Sequence, residues 1–106
     1  MPSRNVACLL STRPIELRCD VLSGLRPKPR GRRCELDWTG FFMRATGQAR
    51  PNCAGDTVYS QKAPVLAYGR VWRHGGFTCY SRTTGLRCQN RSGHGFVLAR
   101  ARSFAF

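Results

Sequence analysis

Along most of the chain apolar residues recur at every second position, the signature of strands with one face turned to a core. In Ile15-Glu16-Leu17-Arg18-Cys19-Asp20-Val21, the residues Ile15, Leu17, Cys19 and Val21 share one face, and Glu16, Arg18 and Asp20 share the other. Val6-Ala7-Cys8-Leu9-Leu10 precedes this stretch across Ser11-Thr12-Arg13-Pro14, which predicts a hairpin. Cys34-Glu35-Leu36-Asp37-Trp38 alternates again, with Cys34, Leu36 and Trp38 inward, and Thr39-Gly40 turns the chain before Phe41-Phe42-Met43-Arg44. Arg50-Pro51-Asn52 reads as a turn ahead of Cys53. Val65-Leu66-Ala67-Tyr68-Gly69-Arg70-Val71-Trp72 reads as a longer strand interrupted at Gly69 by a bulge. His74-Gly75-Gly76 returns the chain into Phe77-Thr78-Cys79-Tyr80, and Ser92-Gly93-His94-Gly95 launches a last strand at Phe96-Val97-Leu98-Ala99. No window sustains the i, i+3, i+4, i+7 spacing of an amphipathic helix. The expectation is an all-β domain over residues 1–106, a small antiparallel barrel or sandwich of about six to eight short strands.

One segment breaks the alternation. Residues 23–33 are rich in Gly, Pro, Arg and Lys, and prolines at alternate positions, Pro27 and Pro29, cannot both sit in a ladder. An exposed loop is predicted there, carrying Arg26, Lys28, Arg30, Arg32 and Arg33.

Six cysteines in 106 residues point to disulfides. None of the gaps between Cys8, Cys19, Cys34, Cys53, Cys79 and Cys88 has the Cys-x2-4-Cys spacing that aims two thiolates at one metal ion, so no metal site is predicted. VACLLSTRPIELRCDV and FTCYSRTTGLRCQN echo one another: a cysteine, a short turn with Ser and Thr, then Leu-Arg-Cys and a polar residue. A hairpin with an inward cysteine on each strand favours Cys8–Cys19 and Cys79–Cys88, and Cys34–Cys53 by elimination, one choice among fifteen connectivities. Disulfides imply an extracytoplasmic compartment: periplasm, envelope or medium. Met1-Pro2-Ser3-Arg4-Asn5 leads into no long apolar stretch, so export implies a processed or truncated start. No apolar run approaches the length of a transmembrane helix.

Asn5-Val6-Ala7-Cys8, Leu17-Arg18-Cys19-Asp20, Cys53-Ala54-Gly55-Asp56-Thr57, Val65-Leu66-Ala67-Tyr68-Gly69, Phe77-Thr78-Cys79 and Ser92-Gly93-His94-Gly95-Phe96 occur in this order. Together they resemble a family of small exported, cysteine-rich bacterial domains of unknown function. The resemblance runs from Pro2 to Phe106. It implies export and one whole domain, and it brings no catalytic residue.

Charge widens the functional question. Sixteen arginines and two lysines stand against five acids, a net charge of +13, and such a field attracts polyanions. Candidate binding residues are Arg26, Lys28, Arg30, Arg32, Arg33, Arg70 and Arg73. Trp38, Trp72, Tyr68, Tyr80 and Phe77, interleaved with Arg70, Arg73 and Arg82, form either core or an aromatic binding face. His74 and His94 are the two imidazoles available for the base and acid of phosphodiester cleavage, although each sits where a turn is expected. Asp56 can cap local amides or pair with a strand arginine. No cofactor motif is present, and the sequence identifies no small-molecule substrate. The leading reading is an exported, non-enzymatic binding or envelope-associated module with a basic face for an anionic partner such as an envelope polymer. A small ribonuclease-like hydrolase using His74 and His94 is the second reading. A structural subunit of a surface assembly, with a protein partner, is the third.

Overall fold

A computed structural model describes residues 5–60 and 63–106. Among them are nine antiparallel strands and no helix: β1 Val6–Thr12, β2 Ile15–Val21, β3 Asp37–Arg44, β4 Arg50–Ala54, β5 Val71–His74, β6 Phe77–Arg82, β7 Gly85–Gln89, β8 Gly95–Leu98 and β9 Phe104–Ala105. They form two sheets, β1-β2-β3-β4 and β5-β6-β7-β8-β9, packed as a sandwich rather than closed into a barrel.

Turn chemistry accounts for the tight hairpins. Thr12 pairs with Ile15, His74 with Phe77 and Arg82 with Gly85, leaving two residues in each loop. In the β5–β6 loop Gly75 and Gly76 both have positive φ, 62° and 90°, which matches the twist of the flanking strands and suits glycine. The three disulfides are Cys8–Cys19, Cys34–Cys53 and Cys79–Cys88, the neighbour pairing that the hairpin echo favours. Cys8 is the ladder partner of Cys19 and Cys79 of Cys88, so two of the bridges tie directly facing residues.

The echo extends beyond the hairpins. Leu17 pairs with Met43 and Cys19 with Phe41 in the first sheet; Leu86 pairs with Leu98 and Cys88 with Phe96 in the second. The next strand repeats the relation, Phe41 facing Pro51 and Phe96 facing Ala105. Strands β1 to β4 and β6 to β9 are therefore two copies of one arrangement, with β5 added to the second. All of Leu17, Cys19, Phe41, Met43, Leu86, Cys88, Phe96 and Leu98 are buried, and they form the centre of the core with Val6, Val21, Phe77 and Cys79. Burying each Phe or Leu contributes about 1.5–3 kcal/mol.

Several local expectations are corrected. Val65–Arg70 is not strand: the amide of Arg70 donates to the Ala67 carbonyl at 3.1 Å, making a turn with Gly69 at φ 83°, and only Val71 onward joins the sheet. The Leu66 carbonyl is instead held by the buried Ser81 hydroxyl at 3.1 Å. Arg50-Pro51-Asn52 is not a turn but the start of β4, where an edge strand tolerates a proline. β3 begins at Asp37 and runs through Thr39-Gly40 with an irregularity between Trp38 and Gly40, and Leu36 is exposed rather than inward. Asp20, on the polar face of β2, is buried because the 55–58 segment crosses over it.

Candidate functional site

The segment between β2 and β3 presents Arg26, Lys28, Arg30, Arg32 and Arg33, all exposed. Its path is anchored from the far end of the chain, since the Ser103 amide donates to the Arg26 carbonyl at 2.8 Å. The hydroxyl of Ser103 donates to the Ala99 carbonyl at 3.1 Å, which holds the β8–β9 connection closed. Exposed Arg100 and Arg102 on that connection are thereby brought to the basic loop, an adjacency that sequence separation hides. Beneath the loop lies an open basin of about 1090 Å³ that includes Lys28, Arg32 and Trp38 together with the carboxylates of Asp20, Asp37 and Asp56. Its charge is mixed.

The second sheet differs. Its inward side chains, among them Phe77, Cys79, Leu86, Cys88, Phe96 and Leu98, are buried, so their neighbours along each strand face outward. Ladder pairing sets those outward residues in rows. Val71, Tyr80, Arg87, Val97 and Phe104 form one row across all five strands. Arg73, Thr78, Gln89 and Gly95 form the next, and Arg82 continues β6 beyond Tyr80. Phe106 closes the second row, its amide donating to the Gly95 carbonyl at 2.9 Å. Gly95 has room there only because it lacks a side chain: a Cβ would stand 2.9 Å from the Phe106 ring. The Arg87 guanidinium lies over the Phe106 ring, 4.5 Å from its centroid, and Arg102 over Phe104 at 5.4 Å.

Acidic side chains are absent from this half. All five acids, Glu16, Asp20, Glu35, Asp37 and Asp56, precede residue 57, and Lys62, Arg70, Arg73, Arg82, Arg87, Arg91, Arg100 and Arg102 follow it. Among the described residues the ion pairs are Arg18–Asp20, Arg18–Asp56 and Arg44–Glu16, all within the first half of the chain.

The Arg18 network is structural. Its guanidinium forks onto Asp20 at 3.1 and 3.0 Å and reaches both the carbonyl and the carboxylate of Asp56 at 3.2 Å. Asp20 also accepts the Val58 amide at 3.0 Å, pinning the 55–58 segment on β2. Burial pulls the guanidinium down, but the hydrogen bonds and charges of Asp20 and then Asp56 outweigh it and hold its pKa above the ordinary value. Asp56 thus takes the strand-arginine partner.

His74 and His94 stand at the two ends of one row. His74 pairs with Phe77, the register sets Phe77 opposite Asn90, and the Asn90 amide donates to the His94 carbonyl at 2.8 Å. Three strand spacings, about 14 Å, separate their backbones, with Phe77 and Asn90 between them. A base and an acid acting on one phosphate from these positions would have to reach across that span. His94 is half-buried in a turn organised by Asn90, whose side-chain oxygen accepts the amides of Ser92 and His94 and the Ser92 hydroxyl. The Asn90 amide nitrogen donates to the carbonyls of Arg44 and Gly47 at 3.0 and 2.8 Å, joining the β7–β8 turn to the β3–β4 turn of the other sheet.

Of the aromatic candidates, Phe77 is core, Trp38 and Trp72 are half-buried against it, Tyr68 is exposed, and Tyr80 stands on the outer face. Arg73 shares that outer face, while Arg70 is exposed at the turn leading into β5. Sequence reasoning missed Arg87, Phe104 and Phe106, although the alternation of Arg87 between Leu86 and Cys88 signals its direction. A separate apolar cavity of about 340 Å³ opens where Leu10 and Leu17 approach Trp72 and Leu86, roofed by Val58 and Leu66. No group of three or more His, Cys, Asp or Glu suited to a metal occurs among the described residues. With no helix there, none is long and apolar enough to cross a membrane.

A family model described as "Family of unknown function (DUF6636)" matches residues 2–106. Neither the curated proteins nor the solved structures contain a match.

Proposed function

The chain belongs to that family of unknown function, and from the geometry of its own residues we propose that it is a non-enzymatic, extracytoplasmic binding module whose basic surface engages an anionic polymer of the cell envelope or its surroundings. Three disulfides and no free cysteine support an oxidising compartment. The observation that carries the reading is the partition of charge. Carboxylates pair with Arg18 and Arg44 on the first sheet, whereas Arg26, Lys28, Arg30, Arg32, Arg33, Arg70 and Arg73 are exposed and without an ion-pair partner among the described residues. Uncompensated cations of one sign raise the local concentration of polyanions and speed their capture.

Retention on immobilised heparin tests this. The domain should be held at about 0.15 M salt and released as salt screens the contacts. Passage through the column unretained, or retention indifferent to salt, would refute the proposal.

A further inference from the structure

Resting on that reading, we infer that the polymer docks on the outer face of the second sheet, and that it is an acidic polysaccharide carrying carboxylates. Three features of the face lead there. It bears Arg73, Arg82 and Arg87 around the half-buried ring of Tyr80, with Gln89 beside them and no acidic side chain after Asp56. An arginine fork presents paired donors that match a carboxylate in plane, and an aromatic ring offers an apolar surface to the face of a sugar.

The arginines are also held in place. Arg87 lies on the Phe106 ring and donates to the Gln89 side-chain oxygen at 3.4 Å. Arg102 lies on Phe104 at the end of the same face. Cations placed before the ligand arrives lose less side-chain freedom on binding.

The same stacking decides between polymers. Single-stranded nucleic acid binds by laying its bases on free aromatic faces, and here Phe104 and Phe106 each carry an arginine of this chain on one face. The charges are sparse as well: strand spacing sets the Cα atoms of Arg87 and Arg82 about 8 Å apart and those of Arg87 and Arg73 about 12 Å apart. That spacing suits a polysaccharide whose carboxylates come to one side at every second sugar better than a chain charged at every nucleotide. Continuity with Arg102 and Arg100, and through Ser103 with the loop at Arg26, lengthens the basic path beyond the sheet.

Affinity for polygalacturonate, measured on the full chain at about 0.15 M salt, tests the assignment against neutral dextran and a thymidine oligonucleotide. Arg73→Gln with Arg87→Gln should weaken polygalacturonate binding about tenfold or more, and Arg30→Gln with Arg32→Gln, which removes the same charge, about threefold or less. Arg87→Lys, which keeps the charge and loses the fork, should also weaken it, with an unchanged melting temperature showing that the fold is intact. Equal losses from the face pair and the loop pair would overturn the docking face while leaving an anionic partner standing. Tighter binding of the oligonucleotide than of polygalacturonate would overturn the polysaccharide. Failure to bind any polyanion would remove the underlying functional reading itself.

Discussion

The rings of Phe41 and Phe96 stack across the sandwich with centroids 5.7 Å apart and planes 25° from parallel, and each faces a half-cystine of its own sheet, Cys19 and Cys88. The pair joins the two copies of the repeated strand arrangement at equivalent positions. Phe41 is 5% exposed and Phe96 is fully buried, so neither cavity left by truncation would be reached by solvent relaxation alone.

Phe96→Ala is therefore expected to cost about 3–5 kcal/mol in urea unfolding, and Phe41→Ala a comparable amount. Because the rings touch, the double variant should lose less than the sum of the two. A loss below about 1 kcal/mol for Phe96→Ala would mean that the contact between the sheets is not where stability resides.

Gly40 and Gly95 occupy equivalent positions in β3 and β8, facing Asp20 and Gln89, and a Cβ on either would run into the backbone carbonyl of the half-cystine one residue earlier on the neighbouring strand, Cys19 or Cys88. Backbone cannot rotate aside as a side chain does. Gly40→Ala and Gly95→Ala should each destabilise by about 3 kcal/mol or more. Gly55→Ala, whose nearest neighbour is the exposed Leu36 side chain at 3.6 Å, should stay within about 0.5 kcal/mol. Thermal unfolding of the three variants side by side measures the contrast.

Asp20 and Asp56 both meet Arg18, but only Asp20 is buried: their side chains are 3% and 76% exposed. Asp20→Ala takes the forked partner from the Arg18 guanidinium, leaving it only Asp56, and leaves the Val58 amide without its acceptor, a loss of about 3 kcal/mol. Asp56→Ala, at a solvated pair, should cost no more than about 0.5 kcal/mol. The raised pKa of Arg18 means that its share is intact at every pH below the ordinary guanidinium range and is lost only as pH rises through the raised value. Stability should consequently show no step from Arg18 between pH 5 and 9; such a step in Asp20→Ala minus wild-type unfolding curves would contradict this.

Asn90 links the β7–β8 turn to the β3–β4 turn through hydrogen bonds to both. Asn90→Ala should cost about 2–4 kcal/mol, since it removes two donors and leaves the Ser92 and His94 amides unpaired. Amide exchange should accelerate at residues 44–48 as well as at 90–95. Exchange confined to 90–95 would show that the two turns are held together by something else.

The alternation of apolar residues was enough to determine the all-β class, the β1–β2 and β6–β7 hairpins, and, through the Leu-Arg-Cys echo, the disulfide pairing. These are contacts between near neighbours in sequence, where residue type and a two-residue loop suffice to set the register. The echo also continues in Gly40-Phe41-Phe42-Met43 and Gly95-Phe96-Val97-Leu98, a likeness visible in the sequence whose meaning depends on which strand lies beside which.

Apolar pattern misled where another segment changes the environment. Val65–Arg70 has the composition of a strand, but the carbonyls of Leu66 and Arg70 and the amide of Gly69 are taken up by Ser81. Asp20 sits on a polar face that the 55–58 segment covers. The charge of +13 was legible from the composition, while the placing of Arg73, Arg82 and Arg87 on one face without acidic side chains, with Arg87 stacked on Phe106, required the fold. Local rules act over a few residues; electrostatic neutralisation and aromatic stacking depend on which distant residues are brought within several ångströms. That is why the sequence by itself determined the strands and their staples, and only the tertiary structure decided which arginines stand without a counter-charge.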